Sequence, residues 1–127
     1  GNQNWYCSHL LAPLLLSIEA QEAKGQQSRG CTLELGAGTG QLAISLAQAG
    51  WRGIVATDGE PAVVKNMKHN VQTHRVGHAV RCLKWQWEDA APKGLDLTNV
   101  DLCIGADLVY YARSHQMLAS LLWRGVA

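Results

Sequence analysis

The fold is decided by the stretch Leu33-Glu34-Leu35-Gly36-Ala37-Gly38-Thr39-Gly40. An apolar, strand-like segment at residues 31–35 runs into three glycines at alternate positions. A helical pattern follows, because Leu42, Ala43, Leu46 and Ala47 fall on one face. This order of strand, tight turn and helix predicts an α/β unit whose glycines let a ligand approach bare backbone.

The spacing of the three glycines distinguishes two kinds of ligand. A dinucleotide fingerprint reads G-x-G-x-x-G, with its last glycine five positions after the first. Here Gly40 comes four positions after Gly36, and Glu34 stands just before the turn. This spacing resembles the S-adenosylmethionine (SAM) loop of class I methyltransferases. The alternative is a purely structural glycine turn.

An acidic residue ends the second predicted strand. Residues 54–57 read as a buried strand, and Asp58 follows them, twenty positions after Gly38. A carboxylate at this place can accept hydrogen bonds from the two ribose hydroxyls of a nucleoside. The alternative is that Asp58-Gly59-Glu60-Pro61 is a turn and helix N-cap. The two interpretations are compatible.

Composition favours one globular domain. The chain has 127 residues, 17% of them charged, and a formal net charge of +1. No charge run or basic stripe suggests nucleic acid, and no apolar run approaches the roughly 20 residues of a membrane span. The apolar segment 10–16 is short, contains Pro13 and has no charged leader, so it is not a convincing signal peptide.

The cysteines and histidines indicate neither disulfides nor a metal. Cys7, Cys31, Cys82 and Cys103 form no C-x-x-C pair, which favours reduced thiols in an intracellular protein. His69 and His74 lie five positions apart on a polar helix, and the other histidines are scattered. We therefore expect no metal site.

Strands and helices alternate along the chain. Helices are predicted at 6–23, 40–49, 61–73 and 114–124, and strands at 31–35, 53–57, 79–84 and 101–106. Pro13 marks either a kink in the first helix or its true start. The pattern predicts a parallel, doubly wound sheet. The resemblance to class I methyltransferases implies a Rossmann-like strand order of 3-2-1-4, with strand 101–106 beside strand 31–35. The ligand site of this sheet lies at the carboxyl ends of the strands, where the glycine loop, Asp58, Trp85 and Ala106-Asp107 all fall.

The segment after the fourth strand carries the most specific motif. Residues 102–106 lead into Asp107-Leu108-Val109-Tyr110-Tyr111. This D-x-x-Y motif resembles that of the eukaryotic seven-β-strand protein-lysine methyltransferases, the group acting on valosin-containing protein, Hsp70 chaperones and elongation factor 2. Leu83-Lys84-Trp85 is similar to the family's L-x-W signature, and Trp5 to its upstream Trp. Asn66 and Asn70 fit its helix after the ribose-binding acid.

The resemblance implies SAM as cofactor, with S-adenosylhomocysteine as product. The implied cofactor-binding residues are Trp5, Glu34, Gly36, Ala37, Gly38, Gly40, Asp58, Trp85 and Ala106. Glu34 would meet the cationic amino group directly or through water, and Trp85 and Ala106 would flank the adenine. Gln86 and Trp87 stand where the family often has Gly, which leaves open which indole lies on the adenine; we favour Trp85. The alternatives are a satisfied strand-end acid at Glu34 and an ordinary core aromatic at Trp85.

The resemblance places Asp107 and Tyr110 on the substrate side as catalytic residues. Methyl transfer to lysine needs the neutral amine, aligned with the sulfonium–methyl bond. A carboxylate can attract the lysine cation and orient its nitrogen, while a phenol can line the alkyl stem or form a hydrogen bond with the amine. Adenine-directed enzymes carry prolines at the positions of Leu108 and Val109, so bases are disfavoured as substrates. The alternative is that Asp107 caps the next helix and Tyr110 packs.

We therefore expect SAM-dependent methyl transfer to a lysine of a protein partner in the cytoplasm or nucleus, without membrane or nucleic acid. Alternatives are a class I methyltransferase acting on a small molecule or another residue type, and a non-catalytic SAM-binding module. The family continues beyond the last predicted helix with further strands, whereas this chain ends at Ala127. We therefore expect a single SAM-binding domain at 1–127 and weak or absent catalysis. We also expect that the outer edge of strand 101–106 either pairs with a second molecule or leaves a marginally stable domain that gains stability from SAM.

Overall fold

The computed structural model describes residues 10–17, 30–106, 108, 116, 119 and 120. A first helix, α1, includes residues 10–17. The strands are β1 (Thr32–Leu35), β2 (Ile54–Asp58), β3 (Val80–Lys84) and β4 (Leu102–Gly105). The other helices are α2 (Gln41–Gln48) and α3 (Pro61–Thr73), with a 3-10 turn at Leu97–Asn99. No helix among the described residues is long and apolar enough to span a membrane.

The four strands form one parallel sheet in the order β3-β2-β1-β4, which confirms the predicted fold and strand order. Parallel neighbours need crossover connections, and α2 and α3 supply those between β1 and β2 and between β2 and β3. Leu33 lies opposite Val55 on one side and Cys103 on the other. The carboxyl ends of β1, β2 and β4 therefore lie side by side at one edge.

The sheet is covered on two faces. On one face, α2 and α3 pack against alternate strand residues such as Ile54, Ala56 and Val80. On the other face, Leu33, Leu35 and Val55 form a second cluster with Trp85 and Leu95. The strands therefore read as continuous apolar runs, as is usual for parallel strands that are buried on both sides.

The predicted bounds of the four strands and of α2 differ from the structure by no more than one residue at either end, and those of α3 match. Helical residues continue on both sides of Pro13, so it is not the first residue of its helix. The 3-10 turn lies between the predicted strands 79–84 and 101–106, and there Asp96 Oδ1 accepts a hydrogen bond from Thr98 N at 2.9 Å. The remainder of the first predicted helix lies outside the described residues.

Two predictions about the chain's end stay predictions. Residues 116, 119 and 120 are helical, and the rest of the predicted helix 114–124 lies outside the described residues. Within the described residues, β4 pairs only with β1 and forms an edge of the sheet. Self-association through this edge and the single-domain assignment of residues 1–127 remain untested.

Candidate cofactor site

The glycine-rich turn between β1 and α2 has a backbone that only glycine adopts readily. Gly36, Gly38 and Gly40 have φ angles of 59°, 58° and 82°. A Cβ on Gly36 would lie 2.7 Å from Leu108 Cδ2, and one on Gly40 would lie 2.9 Å from Met67 Cγ. The turn therefore needs glycine both for its left-handed conformation and for the close approach of neighbouring side chains.

Asp58 joins the end of β2 to this turn. Its Oδ2 accepts a hydrogen bond from Gly38 N at 3.1 Å, and its Oδ1 accepts one from Glu60 N at 3.1 Å. Ala37 N also donates to Thr57 O at 2.8 Å. Asp58 is half-buried, so its carboxylate keeps access to solvent. The interpretation of Asp58 as a turn residue and its interpretation as a ribose acceptor remain compatible in this geometry.

Glu34 lies below the turn, between the sheet and α2. Its side chain is 2% exposed, and its carboxyl accepts a hydrogen bond from the backbone N–H of Ala43 in the first turn of α2. Oε2 is buried without a hydrogen-bond partner in the described part of the protein. Burial, with a smaller contribution from the negative charge of Asp58, raises the pKa of Glu34 from 4.5 to about 8.

In the described structure, Glu34 contacts α2 through the backbone N–H of Ala43. Its contact with SAM remains a prediction. A neutral carboxyl at this place carries a proton that no described group accepts. A cationic ligand above the turn would favour the ionised form.

The two tryptophans after β3 lie on the sheet face opposite α2 and α3. Trp85 is 4% exposed and packs with Leu33, Leu35 and Val55. Its Nε1 donates a hydrogen bond to Asp89 O at 3.2 Å. Trp87 is half-buried and packs against the same cluster. In this structure Trp85 is a core aromatic, and its contact with adenine, like that of Trp87, remains a prediction.

The end of β4 reaches the glycine turn through Leu108. Leu108 packs over Gly36, and a Cβ on Gly105 would collide with the same side chain. Ala106, proposed to flank adenine, is half-buried at this edge. Asp107, Tyr110 and Trp5 lie outside the described residues. Of the predicted site residues, the structure brings together the turn, Glu34, Asp58 and Ala106 at one edge of the sheet.

Two polar side chains support the site in ways that the sequence analysis did not identify. Asn70 Nδ2 donates to Thr39 O at 2.9 Å, which ties α3 to the glycine turn. Gln86 Nε2 donates to Gly59 O at 3.1 Å, next to Asp58. The signal for Asn70 was present, because it is an amide on the side of α3 that buries Val63, Met67 and Val71. No comparable pattern marks Gln86, which lies beyond the end of a strand.

The charges around the turn fit SAM. The two acids nearest the turn are Glu34 and Asp58, and residues 31–51 and 53–64 contain no Lys, Arg or His. A pyrophosphate would meet the Asp58 carboxylate here, whereas a sulfonium or an ammonium group would be attracted by it and would favour ionisation of Glu34. The half-buried Asp58 carboxylate also offers acceptors for hydroxyls. These acidic groups and hydrogen-bond acceptors therefore suit a cationic nucleoside better than a dinucleotide.

A family model described as lysine methyltransferase matches residues 1–126. The chain belongs to the lysine methyltransferase family. The resemblance seen in the D-x-x-Y, L-x-W and glycine-turn motifs is thus confirmed over nearly the whole chain. SAM is the cofactor that goes with this family and this fold, and the described residues at the edge of the sheet would hold it.

Two curated relatives are similar to parts of the chain. Calmodulin-lysine N-methyltransferase of Arabidopsis thaliana is 29% identical over 92 residues, which cover 68% of this chain and 30% of that protein. Ribosomal protein L11 methyltransferase of Bradyrhizobium diazoefficiens is 42% identical over 52 residues, covering 41% of this chain and 18% of that protein. The chain therefore spans less than a third of the length of the curated relatives it matches.

Solved structures support the fold. Magnesium protoporphyrin IX methyltransferase from Synechocystis PCC 6803, solved with bound S-adenosylhomocysteine, aligns with a TM-score of 0.66. The two proteins are 18% identical, and the alignment covers 95% of this chain and 56% of the other. The fold is therefore that of class I SAM-dependent methyltransferases.

Proposed function

We propose that this protein transfers the methyl group of SAM to the side-chain nitrogen of a lysine in a protein substrate. The observation that carries the proposal is the match of the lysine methyltransferase family to residues 1–126, on a fold whose glycine turn and Asp58 suit SAM. The similarity to a calmodulin-lysine N-methyltransferase adds support for lysine as the acceptor.

The cofactor half of the proposal rests on described side chains. SAM supplies an electrophilic methyl group when bound. The turn at Gly36–Gly40 presents backbone to the methionine part, and Asp58 presents acceptors to the ribose. Asn70 and Asp58 hold the turn from two sides, through Thr39 O and Gly38 N. A turn fixed in this way loses little conformational entropy on binding.

The acceptor half rests on the motif that follows β4. Leu108 is the second residue of that motif and packs against the turn. We propose that Asp107 attracts and orients the lysine ammonium and that Tyr110 contacts its alkyl stem. The reference pKa of lysine is about 10.4, so its nitrogen must lose a proton to solvent before it attacks the methyl group. Positioning then supplies most of the rate enhancement.

Separate measurement of transfer and cofactor binding tests the acceptor half. Asp107→Ala in the full-length protein should reduce methyl transfer from tritiated SAM to lysate proteins at least hundredfold. SAM affinity, measured by calorimetry, should change less than threefold. Asp89→Ala is the matched control, because Asp89 is exposed and its described hydrogen bonds use only its backbone N–H and carbonyl groups. Full activity of Asp107→Ala would remove this residue from the proposed mechanism.

A further inference from the structure

The net charge of +1 conceals a strong segregation of charge. Residues 61–87 contain five of the eleven Lys and Arg residues and none of the ten acids, which leaves six cations and ten anions for the rest of the chain. The five cations are exposed, as are three histidines in the same segment; they are Lys65, Lys68, His69, His74, Arg75, His78, Arg81 and Lys84. The segment forms α3 and β3, at the end of the sheet opposite β4.

Four of these side chains share one surface. Lys65, Lys68 and His69 have the spacing of neighbours on one helix face, opposite the buried Val63, Met67 and Val71. Burial raises the pKa of the Cys82 thiol, and the positive charge of Lys68 partly opposes this rise. Lys68 therefore lies close to β3. Lys84 leaves β3 on the same side as Cys82, because side chains two apart in a strand share a face. We call Lys65, Lys68, His69 and Lys84 the basic surface.

Nothing described on the protein neutralises this surface. Within the described residues, the side chains of Lys65, Lys68 and Lys84 make neither a hydrogen bond nor an ion pair. The nearest acids at the start of α3 are Asp58 and Glu60, and both oxygens of Asp58 already accept backbone hydrogen bonds. Arg81 is different, since it lies on the opposite face and donates to Gly94 O at 2.7 Å. Among the described residues, therefore, no acid competes with an external anion for these three lysines.

We propose that the basic surface binds an acidic segment of the protein substrate, an inference that rests on the proposed function. A folded surface with concentrated, unneutralised cations attracts a polyanion and orients it. The surface consists of four side chains, and the two tryptophans nearest to it in sequence, Trp85 and Trp87, both pack into the second core cluster. Nucleic-acid surfaces combine longer basic tracks with exposed aromatic side chains. These features favour an acidic peptide over RNA.

The sheet fixes how far this segment lies from the methylated lysine. Lys84 ends β3, while the acceptor motif follows β4, three strand spacings away. Strand spacings of 4.7–4.9 Å make this about 14 Å, which is the span of about four extended residues. The acidic residues of the substrate should therefore begin about four or more positions from the target lysine rather than directly beside it.

Binding of two homopolymers tests the proposal. Fluorescent deca-glutamate and oligouridylate of equal charge would be titrated with the protein at low and physiological salt. We expect the protein to bind deca-glutamate more tightly than oligouridylate. Lys68→Glu should weaken the affinity for deca-glutamate at least fivefold. Lys93→Glu makes the same charge change at an exposed residue outside the surface and should weaken it less than twofold. SAM affinity should be unchanged in both variants, which verifies that they are folded.

Three results would overturn the inference: no binding of deca-glutamate, equal losses in the two variants, or tighter binding of oligouridylate. Failure of the proposed function is a separate outcome. If the protein binds deca-glutamate through Lys68 but methylates no lysine, the basic surface is still a docking site for an acidic protein, and only lysine as the substrate is refuted. If the protein methylates lysine but Lys68→Glu does not change its affinity for deca-glutamate, only the docking site is refuted.

Discussion

Replacing the buried acid Glu34 by glutamine should change how the stability of this protein depends on pH. The glutamine keeps an oxygen that accepts the Ala43 N–H, but it carries no charge at any pH. In the native protein the pKa of Glu34 is raised from 4.5 to about 8, mainly by burial. Between these two values the native state holds a proton that the unfolded chain releases. The wild type therefore loses stability as pH rises from 4.5 to 8, whereas Glu34→Gln does not lose this contribution.

The magnitude follows from the size of the shift. Each unit of pKa difference corresponds to about 1.4 kcal/mol. Between pH 4 and pH 7 the wild type should lose roughly 3 kcal/mol of unfolding free energy that Glu34→Gln does not lose. Between pH 4 and a pH above 8 this extra loss should be on the order of 5 kcal/mol. Other titrating groups contribute equally to both proteins, so they cancel in the difference between the two curves.

Urea unfolding of the cofactor-free protein at half-unit steps from pH 4.5 to 8.5 measures this difference. Glu88→Gln, which removes an exposed carboxylate, is the matched control and should follow the wild type. The free energy of unfolding of Glu34→Gln should rise steadily relative to the wild type across this range. Parallel curves for Glu34→Gln and the wild type would show that Glu34 is ionised in the native state throughout, and the account of its burial would be wrong.

Three further substitutions test the cofactor site. Asp58→Ala should weaken SAM binding by about 1–3 kcal/mol in calorimetry, since it removes a charged acceptor; unchanged affinity would exclude Asp58 from the site. Asn70→Ala should weaken SAM binding and lower stability by about 1 kcal/mol through loss of the bond to Thr39 O, whereas the exposed Gln72→Ala should do neither. Gly36→Ala should lower stability by at least about 1–2 kcal/mol, because alanine is strained at φ 59° and would approach Leu108; a thermal melt identical to that of the wild type would contradict this.

The fold was predictable because its signals are local and repeated. Strands buried on both faces appear as short apolar runs, and α3 shows its inward side at Val63, Met67 and Val71. The order 3-2-1-4 follows from right-handed crossovers together with the family resemblance. The element bounds were less predictable, since the capping turn at Asp96 depends on side-chain hydrogen bonds that no periodicity reveals.

The candidate site was predictable only where spacing determines it. The glycines and Asp58 lie at fixed distances along one βαβ unit, so their meeting follows from topology. How deeply the side chain of Trp85 is buried depends on how residues 87–100 fold over the sheet, and no local sequence pattern specifies that. Asn70 meets Thr39 across 31 positions of sequence, and Gln86 meets Gly59 across 27. Such contacts arise from packing between elements. The sequence indicates at most that Asn70 lies on the inward side of α3, and it does not reveal the partner of either amide.

The proposed function depends on lysine being the acceptor of the methyl group. Incubating the full-length protein with a cell lysate and SAM that carries a trideuterated methyl group, followed by tandem mass spectrometry of the digested proteins, tests it most directly. We expect trideuteromethyl groups on lysine side chains with the wild type and none with Asp107→Ala. Label found only on arginine, on other residues or on small molecules would contradict the proposed function.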